Sequence, residues 1–242
     1  MHPFCMEQYD KVGRKYSEMI QIDPIKKYAQ RPTVLKYLGD VKDKLILDMG
    51  CGDGEIARLL SVRGARLVCY DISPEQVSLA KSKSVKFPSI QYFVSDQNSF
   101  SFPEKFDKAF AAMVLCYSNT LADLQAFFNS AFSLLKDDGE LVLLDLDTRL
   151  LSYGTEVFGR THELLPDGRT KINFVVKGAS HFSAIYQGYM KEQFEECAKK
   201  SGFKRVLWKK VFVSQEGKKA MGADYWNNFA KCNYWIAGVF QK

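Results

Sequence analysis

From about residue 45 to residue 147, short apolar runs alternate with amphipathic stretches, and this rhythm constrains the fold more than any other feature of the chain. KLILDMG (44–50) reads as a buried strand. EIARLLSVRG follows as a helix ended by Gly64, with Ile56, Leu59, Leu60 and Val62 mostly at helical intervals. RLVCYD (66–71) is a second strand. The next helix has Ser73 as its cap, Pro74 at its first position and Gln76 three residues on. IQYFVSD (90–96) and FDKAFAAMVL (106–115) predict a third and a fourth strand. Leu121, Leu124, Phe128, Ala131 and Leu135 make one helical stripe, Asp137-Asp138-Gly139 a turn, and ELVLLDLD (140–147) a fifth strand. Strands spaced by helices require right-handed crossovers and a parallel sheet covered on both faces, so a three-layer α/β domain is expected.

After Asp147 the helical spacers stop. KINFVVKG and HFSAIYQGY within 148–190 predict an insertion of short antiparallel strands, and KEQFEECAKKSG (191–202) a helix ended by Gly202. RVLWKKVFV (205–213) and NYWIAGVFQ (233–241) should close the sheet as an antiparallel pair with a long connection. No linker or repeat divides the 242 residues. A single domain over 1–242 is expected: a mostly helical N-terminal cap (1–40), a core (41–147), the insertion (148–190), and a C-terminal helix with strands (191–242).

Composition limits the function classes. With 46% hydrophobic and 26% charged residues the chain is of ordinary globular type. No apolar run approaches the roughly 20 residues needed to span a bilayer, and MHPFCMEQYDKVGRKY lacks the apolar stretch of a secretory signal, so membrane insertion is not expected and a cytoplasmic location is. The formal charge of +6 is modest. Its clearest cluster (Lys199, Lys200, Lys204, Arg205, Lys209, Lys210) reads as a solvated helix end and strand rim, which argues against a nucleic-acid partner. Six cysteines without CxxC spacing indicate neither a zinc site nor a disulfide framework.

The chemistry is carried by Asp48-Met49-Gly50-Cys51-Gly52-Asp53-Gly54, at the end of the first strand. Alternating glycines let backbone approach a ligand closely, at the place where open α/β sheets bind ligands. A dinucleotide fingerprint would need glycine at position 55. Glu55 stands there instead and would oppose a pyrophosphate, and no phosphate-binding GxxxxGK[ST] loop is present. Asp71 ends the second strand, placed to accept from two ribose hydroxyls. Asp96 ends the third, followed by Gln97 and Asn98, where an adenine amino group finds an acceptor.

These elements in register resemble the class I S-adenosylmethionine-dependent methyltransferases. FDKAFAAMVLCYSNTLADLQAFFNSAFSLLKDDGELVLLD is similar to that family's fourth-strand, helix and fifth-strand block. The resemblance implies a Rossmann-like, seven-stranded, mostly parallel sheet with an antiparallel C-terminal strand. It implies S-adenosyl-L-methionine as cofactor and S-adenosyl-L-homocysteine as product. Backbone from Gly50 through Cys51 and Gly52 to Gly54 would lie against the methionine part, with Asp48 orienting its ammonium group. Asp71 would hold the ribose, Ile72 would lie against the adenine, and Asp96 and Gln97 would reach its edge. Met113 and Val114 would line the path to the methyl group. Tyr9 and Tyr16 resemble a helix that, in small-molecule members, closes over the cofactor.

A methyl already activated by the cofactor leaves the protein to align a nucleophile and exclude water, so a dedicated catalytic residue is not required. If the nucleophile is protonated, His181 on the insertion, and Tyr16, are the candidates to act, with His162 a further base candidate. AAMVLCYSN lacks the [DNS]PP[FY] motif of base-amino methyltransferases, and Cys116 follows leucine rather than proline. A small acceptor, methylated on N, O or C, is therefore expected. Tyr153, Tyr186, Trp226 and Phe229 offer aromatic surface for a flat ring, and Arg31 could meet a carboxylate. The competing readings are an RNA or protein methyltransferase, a non-catalytic adenosyl-ligand binder and an aminopropyltransferase, whose second acidic motif MVLCYSN replaces.

Overall fold

Leu45, Ile46, Leu47, Asp48 and Met49 are all buried, as a strand at the centre of a doubly covered sheet must be. They form β1 (Leu45–Met49), which pairs in parallel with β2 (Arg66–Asp71) on one side and β4 (Phe106–Ala112) on the other. The structure, a computed structural model, describes residues 22–174, 182–232 and 234–242. β3 (Ile90–Val94) adds in parallel outside β2, and β5 (Leu135–Leu146) outside β4. β10 (Trp235–Gln241) runs antiparallel between β5 and β9 (Arg205–Lys209). The seven strands lie in the order β3-β2-β1-β4-β5-β10-β9. This is the expected Rossmann-like sheet, mostly parallel with a reversed C-terminal strand.

Period-two burial sends alternate side chains to two separate cores. Leu45, Leu47, Met49, Ala109, Ala111, Leu141 and Leu143 pack under α4 (Leu121–Leu134) and α5 (Lys191–Ser201). Ile46, Phe110, Val142 and Leu144 face the opposite layer, made by α1 (Arg31–Leu38), α2 (Glu55–Val62) and α3 (Pro74–Lys83). The helix starts follow their chemistry. Ser73 accepts from the Gln76 N–H at 3.2 Å, and Thr120 and Asp123 form a reciprocal capping box. Gly64 and Gly202, both with positive φ, follow the ends of α2 and α5.

The insertion is a separate antiparallel sheet of β6 (Arg160–Leu164), β7 (Thr170–Phe174) and β8 (Phe182–Tyr186). A third core joins it to the N-terminal segment and to α6 (Gln215–Lys231), the helix that fills the connection between β9 and β10. Three details differ from the sequence reading. The fourth strand stops at Ala112, because Met113 takes a φ of 61°. The expected 137–139 turn is absorbed into an extended β5, with a register shift between Phe106 and Lys108. α6 carries no clean helical signal, because Gly222 breaks it with a φ of 80°. The described part of the cap is a π-helical turn, Lys26–Gln30, leading into α1. Among the described residues no helix is long and apolar enough to cross a membrane.

Candidate active site

Strand order reverses between β1 and β4, and a cleft opens at the carboxyl ends of these strands. Gly50, Cys51, Gly52 and Asp53 form one wall, Asp71, Ile72 and Ser73 a second, Ser95 and Asp96 a third, and Ala112, Met113 and Val114 a fourth. Lys26, Gln30 and Arg31 close it from the N-terminal helices.

The three glycines of the turn have positive φ (84°, 52° and 77° at Gly50, Gly52 and Gly54), but they do different work. A Cβ on Gly50 would stand 2.6 Å from Val114 Cγ2, and one on Gly54 would run into the Tyr92 hydroxyl. Only at Gly52 is there room, the nearest atom being Gln76 Oε1 at 3.8 Å. Gly50 and Gly54 are thus demanded by internal packing, and Gly54 does not reach the cleft.

Asp71 fixes the turn. Its Oδ2 accepts from the Gly52 N–H at 2.8 Å and its Oδ1 from the Ser73 N–H at 3.0 Å. Asp96 folds its own loop, Oδ1 accepting from the N–H groups of Asn98 and Ser99, both at 2.9 Å. Burial opposes ionisation of Asp96, yet those N–H groups outweigh it and hold its carboxyl below the usual range. Asp48, fully buried, is pushed well above that range by burial and then by the nearby Asp71 charge. Glu55, the first residue of α2, meets Arg31 at 2.5 Å, and burial still raises its carboxyl. Asp53 is held by Lys83 at 2.6 Å.

A methyltransferase-domain family model matches residues 47–143, the segment that builds this cleft. The demethylmenaquinone methyltransferase of Tropheryma whipplei is 25% identical over 190 residues, 75% of each chain. Among solved structures, an S-adenosylmethionine-dependent methyltransferase from Mesorhizobium loti superposes with a TM-score of 0.66 at 15% identity, covering 92% of this chain and 100% of that one. The 1,6-didemethyltoxoflavin-N1-methyltransferase of Burkholderia thailandensis gives 0.63 at 12% identity, covering 99% and 88%. Residues 47–143 carry a methyltransferase domain, and the chain is an enzyme of that kind.

The methyltransferase's cleft fits S-adenosylmethionine, the ligand the sequence resemblance implies, on its own chemistry. Tyr70 and Gln76 both line it, and their buried Oη and Nε2 have no hydrogen-bond partner among the described residues. Five carboxylates (Asp48, Asp53, Glu55, Asp71, Asp96) line it with two bases, Lys26 and Arg31, a balance suited to a ligand bearing sulfonium and ammonium charges. Of the residues expected from sequence, Asp48, Gly50, Cys51, Gly52, Asp71, Ile72, Asp96 and Met113 come together here. Gln97 is buried beside Asp96 but does not line the cleft, because the loop held by Asp96 turns past it. Tyr9, Tyr16 and His181 lie outside the described residues. Tyr70 and Gln76 were missed, since a strand tyrosine and a helix glutamine carry no motif.

A second, small cavity adjoins the first, and the two share Lys26, Gln30, Met113 and Tyr117 as lining. Phe174, Tyr186, Tyr234 and Trp235 supply its aromatic walls, and Lys26, Arg160 and His162 its basic side chains. Arg160 is ion-paired with Asp23, both buried. His162 is buried with both ring nitrogens unpartnered, and burial, then the Arg160 charge, lowers it to about 4. The expected aromatic surface is corrected in part: Tyr186 is in this cavity, but Trp226 and Phe229 pack in the third core. Trp226 Nε1 donates to the Gly217 carbonyl at 2.8 Å, and Phe229 stacks on Trp235 at 4.8 Å. Tyr153 is exposed, its hydroxyl 3.3 Å from Thr170 Oγ1.

Proposed function

We propose that the chain methylates a small-molecule acceptor held in the second cavity, with the cofactor in the first. The observation that carries this reading is the wall the two cavities share, with Met113 at the end of β4 facing both. A non-glycine residue at φ 61° is strained, and such strain gathers where backbone is held for a purpose. The names of the relatives, a demethylmenaquinone methyltransferase and a didemethyltoxoflavin methyltransferase, support a small acceptor over a polymer.

In this reading Asp71, a carboxylate lining the cleft at the end of β2, holds the ribose by accepting from its hydroxyls. Ile72 lies against the adenine and Asp96 accepts from its edge. Asp48 faces the ammonium group and Arg31 the carboxylate. Bound there, S-adenosylmethionine would supply a methyl activated by its sulfonium, the thioether sulfur being the leaving group that keeps the bonding pair. The protein orients the acceptor and excludes water, effects worth up to roughly 7–11 kcal/mol. Proton removal, where the acceptor needs it, falls to His181, with Tyr16 as the second candidate. His162, at about 4, is too weak a base for that work at neutral pH.

The test is label transfer from methyl-labelled donor into a cell extract separated by size. Label in the low-mass fraction is expected. Label in RNA or protein would favour the macromolecular reading.

A further inference from the structure

We infer that the second cavity is a recognition site for a neutral, planar aromatic or heteroaromatic acceptor whose polar edge is read by His162, Tyr186 and Tyr234. This rests on the reading of that cavity as the acceptor side of a methyltransferase, and it adds the acceptor's chemical class.

Three residues lining this one cavity carry four buried polar atoms that have no partner among the described residues: both nitrogens of His162, Tyr186 Oη and Tyr234 Oη. Their residues are 1%, 3% and 2% exposed, and they come from β6, from β8 and from the position before β10. A buried polar group left unbonded costs about 1–3 kcal/mol, so four converging on one space mark where a polar ligand belongs. A neutral imidazole offers one donor and one acceptor, and each phenol offers both. That set matches a ring carrying a hydroxyl or N–H beside a ring nitrogen or carbonyl. Planarity follows from the walls. Tyr234 stands edge-on to His162 at 5.4 Å, and Phe174 and Trp235 line the remainder. Neutrality follows from charge: the Arg160 guanidinium lies over the Phe174 and Trp235 rings with its charge matched by Asp23, and Lys26, shared with the first cleft, stands by the Glu55 carboxylate.

The experiment uses the full chain saturated with S-adenosylhomocysteine and three probes: 2-naphthol, 2-naphthoate and decahydro-2-naphthol. Binding is followed by saturation-transfer NMR and calorimetry. 2-Naphthol is expected to bind at least fivefold more tightly than either the charged or the non-planar probe. His162→Phe and Tyr234→Phe should each weaken it fivefold or more, with S-adenosylhomocysteine affinity within twofold of the native value. Equal binding of 2-naphthoate, or 2-naphthol binding unchanged in both variants, would overturn the inference. If the native chain binds S-adenosylhomocysteine but not 2-naphthol, this inference fails alone. If it binds no S-adenosylhomocysteine, the cofactor assignment has failed instead. Should His162→Phe not fold, Tyr186→Phe, which removes one oxygen, carries the same test.

Discussion

Gly52 and Gly54 stand two residues apart in one turn, and their replacement by alanine should have different consequences. Both have positive φ, which costs an L-residue about 1–2 kcal/mol, but only at Gly54 would the added carbon meet a packed ring. Gly52→Ala is therefore expected to lose only about that much stability while weakening S-adenosylhomocysteine, and Gly54→Ala to lose several kcal/mol. Chemical denaturation of the two variants checks this; equal losses would mean that Tyr92 does not constrain the turn. Asp48 makes a second residue-scale prediction. Burial and Asp71 raise its carboxyl well above the usual range, so the free enzyme holds a proton there up to that raised value. A bound ammonium group lowers it again and expels the proton. Calorimetry in buffers of different ionisation enthalpy should record proton release on cofactor binding in native enzyme, and less in Asp48→Asn.

At the scale of elements, the parallel core was legible because period-two and period-3.6 apolarity are local properties: β1 to β5 and α2 to α5 follow directly from runs such as KLILDMG and KEQFEECAKKSG. The lining of the first cleft was legible for the same reason, many of its residues sitting at strand ends in fixed order. The second cavity was not. Met113, His162, Phe174, Tyr186 and Tyr234 are spread along the chain with no shared spacing, and only folding of the insertion onto β10 and the N-terminal segment unites them. One signal was available: in β6 the buried positions are Arg160 and His162, a strand turning basic side chains inward. The Arg160–Asp23 pair ties that strand to the N-terminal segment. Arg160→Met strands a buried carboxylate and should cost about 3–5 kcal/mol, whereas adding Asp23→Leu should recover most of the loss. Thermal unfolding of the single and double variants tests the tie, and a double variant no better than the single would refute it.

Across the whole molecule two buried groups give stability opposite dependences on pH. His162 titrates at about 4 when folded against 6.5 ordinarily, with Arg160 on its own strand and Tyr186, Tyr234 and Lys26 around the same cavity. Between those values the unfolded chain binds a proton that the folded chain refuses, so this contribution is lost as pH falls. Asp145, buried and accepting from the N–H groups of Leu115, Cys116 and Leu146, is raised by burial from 3.8 to about 6. There the folded chain holds the extra proton, and stability is lost as pH rises. Each effect is on the order of 3 kcal/mol and they offset across pH 4–6. Relative to native enzyme, His162→Phe should shift Tm down at pH 6 compared with pH 4.5, and Asp145→Asn should do the reverse. Parallel Tm–pH curves for all three proteins would contradict this. The cofactor cleft itself is tested most directly by calorimetric titration of native enzyme and Asp71→Asn with S-adenosylhomocysteine, using NAD as control. Micromolar binding to the native chain, none of NAD, and at least tenfold weaker binding to Asp71→Asn with Tm within a few degrees is the expected result. Equal affinity in the two proteins would contradict the placement of the ribose on Asp71, and no binding to the native chain would contradict the cofactor site as a whole.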